Sequence, residues 1–393
     1  MSAAHAHVRD CARTPMFQVL QEALDPRRTL ERAVAIQQVP APTFEEEKRA
    51  RVVHDYFCSL GLLDVQRDAY HNVIGRWPGI EPDRPAILLT AHLDTVFPAD
   101  TDLAVREFAG RIRGAGLGDN SLGVAALISL ADALTSQQVR LPADLWFAAT
   151  SREEGLGNLD GIRAVWTALG GRLGAAIVVE GIALGRIYHA GIAVRRLKII
   201  CRAPGGHSWL HFGQPSAVHG LITAGHEILQ LTPPNKPRTT YNIGLISGGR
   251  SVNSLATEAE LWLDLRSEDP AALRALEQQV RACVGRVQRP PDLEFEISVV
   301  GDRPAGAIAR EHALVQLAVA CLEIVGIAPT LERGSTDANL LLAAGLPAIT
   351  IGISQGGNAH RPDEFIETAP VHSGLRQLAL LTLAAATWDF AAG

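Results

Sequence analysis

The segment LLTAHLDTVFP carries His92 and Asp94 two residues apart, on one side of an extended backbone. There an imidazole can bind a metal while the nearby carboxylate orients the ring and raises its basicity. An H-x-D by itself fits a hydrogen-bonded turn equally well. Asp119 lies in the glycine-rich turn RGAGLGDNSLG that opens an apolar helix, where aspartate is also an ordinary N-cap. Glu153 and Glu154 stand side by side just after the apolar run LWFAATS, beyond Arg152, and adjacent carboxylates at such a place are costly unless a cation or a proton relieves them. Glu180 closes the run AAIVVE, where a buried carboxylate needs a partner, and His360 stands in QGGNAHRPDEF after the run AITIGIS. Each of these residues has a plain structural reading. Together they make an N/O donor set suited to zinc or a similar divalent ion. One ion cannot use so many ligands, whereas two ions about 3.5 Å apart sharing a bridging carboxylate can, and such pairs serve hydrolases.

The elements that must position these residues are legible in outline. Ala86–His92, Leu145–Ser151, Ala175–Glu180 and Ala348–Ser354 are short and almost wholly apolar, as strands buried on both faces of a mostly parallel sheet are. Ligands of open α/β sheets bind beyond the carboxyl ends of such strands, where the candidate residues stand. Helical spacing runs from Phe17 to Gln37, and Thr43 with Glu46 forms a capping-box pattern for a second helix toward Leu60. The first fifteen residues, with His5 and His7, read as a frayed tail. Later helices are expected over Leu314–Val325, over Asp337–Ala344 with Ser335 or Thr336 as cap, and from Val371 to Phe390. Between Ala193 and Val300 the pattern becomes β-α-β-β-α-β, a ferredoxin-like unit. The expected fold is therefore α/β, with a mostly parallel central sheet flanked by helices. A discontinuous catalytic domain (1–192 and 301–393) is interrupted by an inserted α+β lid or dimerisation domain (193–300).

Composition narrows the partners. In 393 residues, 36 Lys+Arg against 42 Asp+Glu give a net charge of −6, which removes any general reason to expect nucleic-acid or anionic-membrane binding. No apolar run approaches the roughly 20 residues of a membrane span, and the N-terminus lacks signal-peptide order, so a cytoplasmic protein is expected. Cys11, Cys58, Cys201, Cys283 and Cys321 are widely spaced and read as buried or inert thiols rather than a disulfide or zinc framework.

The ordered set H-x-D-T-V, G-D-N-S-x-G, E-E, the strand-ending acid, the inserted unit with G-G-H-S, L-D-L-R-S, G-S-T-D and G-G-N-x-H spans nearly the whole chain. It resembles the co-catalytic dizinc peptidase and amidohydrolase family that includes glutamate carboxypeptidase, peptidase T, aminoacylase, acetylornithine deacetylase and succinyl-diaminopimelate desuccinylase. The G-D-N-S-L-G turn, where many carboxypeptidase-like members have D-x-K-x-G, moves the likeness toward the peptidase T-like branch. The resemblance implies two zinc ions per subunit, with cobalt or manganese as substitutes. His92 and Glu180 would hold one ion, Glu154 and His360 the other, and Asp119 would bridge both. It implies that Asp94 orients His92 and that Glu153 is the general base acting on the bridging water. His207 of the lid would stabilise the oxyanion from the partner subunit of a homodimer formed through the lid. Asn253 and Arg266 would hold the substrate, an arginine fork suiting a carboxylate. The expected reaction is cleavage of an amide bond in a small peptide, with deacylation of an N-acyl amino acid as the alternative. A non-catalytic binding protein that keeps the fold is the rival of another class.

Overall fold

The computed structural model describes residues 2–390. The chain divides into two compact units, one running up to Gly191 and resuming at Gly306, the other covering Ile192–Ala305.

The first unit is built on an eight-stranded sheet ordered Leu63–Arg67, Val73–Trp77, Leu145–Thr150, Ala86–His92, Leu173–Ile182, Ala348–Ser354, Arg186–Gly191, Thr330–Gly334. Its four central strands run parallel, and both flanks bring in antiparallel neighbours: Val73–Trp77 against Leu145–Thr150, and Arg186–Gly191 against Ala348–Ser354. Every residue of Ala86–His92, Leu145–Thr150 and Ala348–Ser354 is buried, as strands covered by helices on both faces must be. One apolar layer packs around the helices Leu122–Ser136, Ala313–Ile324 and Val371–Thr387, and the opposite layer around Asp160–Leu169 and Ala338–Ala343. The stretch Leu117–Ser136 is long and apolar enough to cross a bilayer, yet 89% of its apolar window is buried inside the fold. Its hydropathy is that of a core helix.

Three local expectations are corrected. The N-terminal segment is no frayed tail: Ala3–Arg13 is helical, Ser2 accepts a hydrogen bond from the His5 N–H, and Ala4, Val8 and Cys11 form a buried stripe at i, i+4, i+7. Phe17–Gln37 is two helices, Pro15–Ala23 and Pro26–Gln37, because Pro26 begins a helix that Asp25 caps by accepting from the Arg27 and Arg28 N–H groups. The capping box at Thr43 and Glu46 does not form. Thr43 Oγ1 donates to Asp94 Oδ2 at 2.9 Å, and the Glu46 carboxylate accepts from the backbone of Phe44 and of the distant Arg152, both at 3.0 Å. Of the cysteines, Cys58 is exposed and the other four are buried.

The second unit has a four-stranded antiparallel sheet ordered Thr239–Gly248, Glu258–Ser267, Ala193–Arg202, Glu294–Arg303. Its helices Ala217–Leu229 and Pro270–Val287 bury Leu221, Ala224, Ile228, Leu276, Val280 and Val284 against the inward alternation Leu261, Leu263, Leu265. The outward residues of these strands pair across the sheet, as in Lys198 with Glu260 at 2.7 Å and Arg196 with Asp264 at 3.1 Å.

Candidate metal centre

Parallel strands that end together present their terminal side chains together, and this assembles the centre. Ala86–His92 and Leu145–Thr150 pair in register with His92 opposite Thr150, so the turns carrying Asp94 and Glu153–Glu154 leave the sheet side by side. The backbone N–H groups of Glu153 and Glu154 donate to Asp94 Oδ1 and Oδ2, both at 2.9 Å. Asp94 therefore splices the two turns. Burial alone would raise its pKa, but the His92 imidazole and these N–H donors hold it below the ordinary carboxylate range.

His92 Nδ1 lies 2.9 Å from the Asp94 main-chain oxygen and 3.5 Å from its carboxylate. A carbonyl oxygen only accepts, so Nδ1 carries the proton and Nε2 faces the cluster. That Nε2 lies 3.0 Å from Asp119 Oδ1 and 3.6 Å from Glu180 Oε2. His360 Nε2 lies 3.1 Å from Asp119 Oδ2 and 3.1 Å from Glu154 Oε1. The two imidazoles thus address opposite oxygens of one aspartate. Donor atoms of His92, Asp119 and Glu154 all fall within 4.8 Å of one another.

The electrostatics are those of a crowded acidic site. Burial, followed by the charge of Asp119, pushes Glu154 up to about 7; Glu180 also rises to about 7, chiefly through burial. Hydrogen bonds to Asp119 and Glu154 lift His360 to about 10. Burial works against the His92 imidazolium, but Asp119, Asp94 and Glu180 raise its pKa well above the ordinary value. Asp119 is held well below the carboxylate range despite burial, by His360 and His92. Without a cation, protons on the two histidines supply the positive charge that these carboxylates demand. The donor set fits divalent cations in their place, with oxygen and imidazole donors only and an Nε2 on each histidine directed at a shared carboxylate.

Four buried groups around the centre were not among the candidate site residues read from the sequence. Arg49, 2% exposed, donates to the carbonyls of Val39 (2.9 Å), Leu93 (2.7 Å) and Gln37 (3.4 Å), and so fixes the peptide between His92 and Asp94. Burial lowers its pKa to about 10. Glu46, Asp337 and Glu364 are each at most 1% exposed, and each has one carboxyl oxygen hydrogen-bonded and the other without a hydrogen-bond partner among the described residues. Asp337 lies in the G-S-T-D motif and Glu364 four residues after His360, so motif position was their only signal.

Asp337 carries a pH prediction. Its Oδ2 accepts from Thr150 Oγ1 at 2.6 Å, and burial, with the charge of Glu153, pushes its pKa from 3.8 to about 8. Between those values the folded chain holds a proton that the unfolded chain releases, so this group's contribution to stability declines as pH rises through that window. Asp337→Asn keeps an acceptor for Thr150 and removes the titration. In urea unfolding of chelator-treated protein, its stability advantage over the native chain should widen from pH 5 to pH 8 and then level. An advantage independent of pH would contradict the assignment.

His207, Asn253 and Arg266 belong to the second unit. Gly206–His207 pairs with Ser254–Leu255, and the Ser208 N–H donates to the Asn253 carbonyl at 3.0 Å, so His207 and Asn253 are neighbours. Arg266 ends an interior strand, not an edge strand, and its guanidinium engages Asp264 of the same strand at 2.6 Å.

An α/β sheet whose strand ends gather imidazoles and carboxylates defines a metallohydrolase-type scaffold. The sequence pattern of peptidase family M20/M25/M40 matches residues 88–384, and the chain belongs to that family of hydrolytic enzymes. Among its relatives, peptidase T of Aeromonas salmonicida is 23% identical over 386 residues, covering 86% of this chain and 91% of that protein. Acetylornithine deacetylase of Myxococcus xanthus is 29% identical over 339 residues, covering 80% and 83%. The fold is similar to that of aminopeptidase PepT from Bacillus cereus (TM-score 0.73, 20% identity, 93% and 100% of the two chains). It is similar as well to human carnosine dipeptidase 1 (TM-score 0.77, 13% identity, 95% and 99%). The α/β fold and the family resemblance expected from the motifs are both borne out.

Proposed function

We propose that this enzyme hydrolyses an amide bond of a small peptide at a two-zinc centre, with cobalt or manganese as possible substitutes. The observation that carries the reading is the placement of His92 and His360 against the two oxygens of Asp119, with Glu180 beside the first and Glu154 beside the second. In this reading His92 and Glu180 hold one ion, Glu154 and His360 the other, and Asp119 both. The ions, when bound, polarise the scissile carbonyl and make water a nucleophile at neutral pH.

The remaining work falls to the chain. Glu153, 6% exposed, is held by its backbone N–H on Asp94 Oδ1 in the turn that also carries Glu154. It takes a proton from the attacking water and returns it to the leaving nitrogen, so that nitrogen departs as a neutral amine. Asp94 and Arg49 hold the turn after His92, which keeps the Nε2 lone pair directed at the ligand position. The roles of His207 as oxyanion donor and of Asn253 and Arg266 as substrate contacts rest on the motif match. A homodimer formed through the inserted domain is supported by exposed apolar side chains on its edge strand, Leu245 and Ile246, and on its helix, Ile222 and Leu229. The family and the composition favour a cytoplasmic setting without nucleic-acid or membrane partners.

Deacylation of an N-acyl amino acid is the second reading, since the acetylornithine deacetylase likeness has the higher identity of the two relatives above. A panel of dipeptides, tripeptides and N-acetyl amino acids, assayed with zinc, cobalt or manganese added back after chelation, separates the two. Peptide turnover at least about 100-fold above that of N-acetyl amino acids in kcat/KM, roughly 2.7 kcal/mol, is expected. The reverse order would assign a deacylase, and no metal-dependent hydrolysis would favour a non-catalytic binding protein.

A further inference from the structure

His360 has a half-exposed side chain on a loop with positive φ (+66°), yet its Nε2 is set within 3.1 Å of both Asp119 and Glu154. No regular element carries it, so something must fix its loop. Inside the loop, Asp363 accepts from Asn358 Nδ2 and Arg361 Nε, both at 2.9 Å. The external anchor is Glu364. Its backbone oxygen accepts from the Gly114 N–H at 2.9 Å, and its Oε1 accepts from two consecutive N–H groups, Gly118 at 2.6 Å and Asp119 at 2.9 Å. The side chain is fully buried, and Oε2 has no hydrogen-bond partner among the described residues. Immediately afterwards Phe365–Glu367 pairs with Arg111–Arg113, which leads into the Asp119 turn. A Cβ on Gly118 would lie 3.0 Å from Ile366 Cγ2 and 3.2 Å from Glu364 Oε1, so the glycine permits this close approach.

We propose that Glu364 is a positioning residue that locks the His360 loop onto the Asp119 turn, and so sets the spacing of these two donors. A buried carboxyl with a lone oxygen is an expensive way to fill a core. Its use here follows from geometry: one oxygen receives two adjacent N–H groups, and the backbone of the ligand Asp119 cannot then rotate without breaking that bond. This inference rests on the reading of Asp119 and His360 as ligands.

Chelator-stripped protein titrated with zinc alone, followed by calorimetry, tests it with Glu364→Gln, Glu364→Asp and Glu364→Ala. Aspartate withdraws the acceptor by one methylene, whereas glutamine keeps an oxygen in place. Glu364→Asp and Glu364→Ala should bind one of the two zinc ions about 10-fold or more weakly and lower kcat with little change in KM, while Glu364→Gln stays within about threefold of the native chain. If the alanine variant does not fold, the aspartate and glutamine variants decide. Native zinc affinity for both ions in Glu364→Asp, or loss of an ion in Glu364→Gln, would overturn the role. A native chain that binds no second ion would instead overturn the two-zinc reading and this inference with it.

Discussion

Glu153→Gln is expected to lower kcat by about 10³-fold or more, roughly 4 kcal/mol of transition-state stabilisation, while metal content and fold stay as in the native chain. Glutamine is isosteric with glutamate, and the backbone N–H of residue 153 keeps its bond to Asp94. The turn should therefore survive the change, leaving only the lost proton acceptor. KM should change little, because a general base contributes in the transition state rather than in binding. Rate assays beside metal analysis of the same preparation check this. A variant that loses metal together with activity would make Glu153 a ligand instead, and full activity would move the base elsewhere.

Asp119→Asn should have the second large effect. One carboxylate faces both imidazoles, so its loss withdraws a donor and a negative charge from both ion positions at once. Bound metal is expected to fall below about one ion per chain, and kcat/KM by about 10⁴-fold or more, since both carbonyl polarisation and water activation depend on the ions. By contrast, Glu180→Gln touches the His92 side alone and should spare the other ion. Metal analysis of the two variants distinguishes a bridging residue from a terminal one. Equal losses in both would contradict the sharing of Asp119.

The legible part of this centre was the part written along single strands. Ala86–His92, Leu145–Thr150 and Ala348–Ser354 are apolar throughout because both faces are covered, and polar residues at their ends then stand out. His92, Asp94, Glu153, Glu154 and His360 could be picked from these ends, Glu180 from the close of the apolar run within Leu173–Ile182, and Asp119 from its glycine-rich turn. The flanking strands Val73–Trp77, Arg186–Gly191 and Thr330–Gly334 were missed, since partial exposure or short length blurs their pattern. The buried groups around the candidate ligands were missed for a different reason. Glu46 finds Arg152, Arg49 finds Leu93, Asp337 finds Thr150 and Glu364 finds Asp119, and each partnership joins segments far apart in sequence. At Thr43 and Glu46 the local pattern pointed to a helix that does form, Glu47–Ser59, but not to its cap, because Asp94 and Arg152 outcompeted the helix end for their side chains.

Two cations sharing Asp119 are central to the proposed reaction, and metal stoichiometry tests their presence most directly. Purified protein, stripped with chelator and reconstituted with zinc, should hold two ions per chain by elemental analysis. Anomalous diffraction should place both beside the Asp119 carboxylate, one toward His92 and Glu180 and one toward Glu154 and His360. A single ion, or two ions without Asp119 between them, would contradict it.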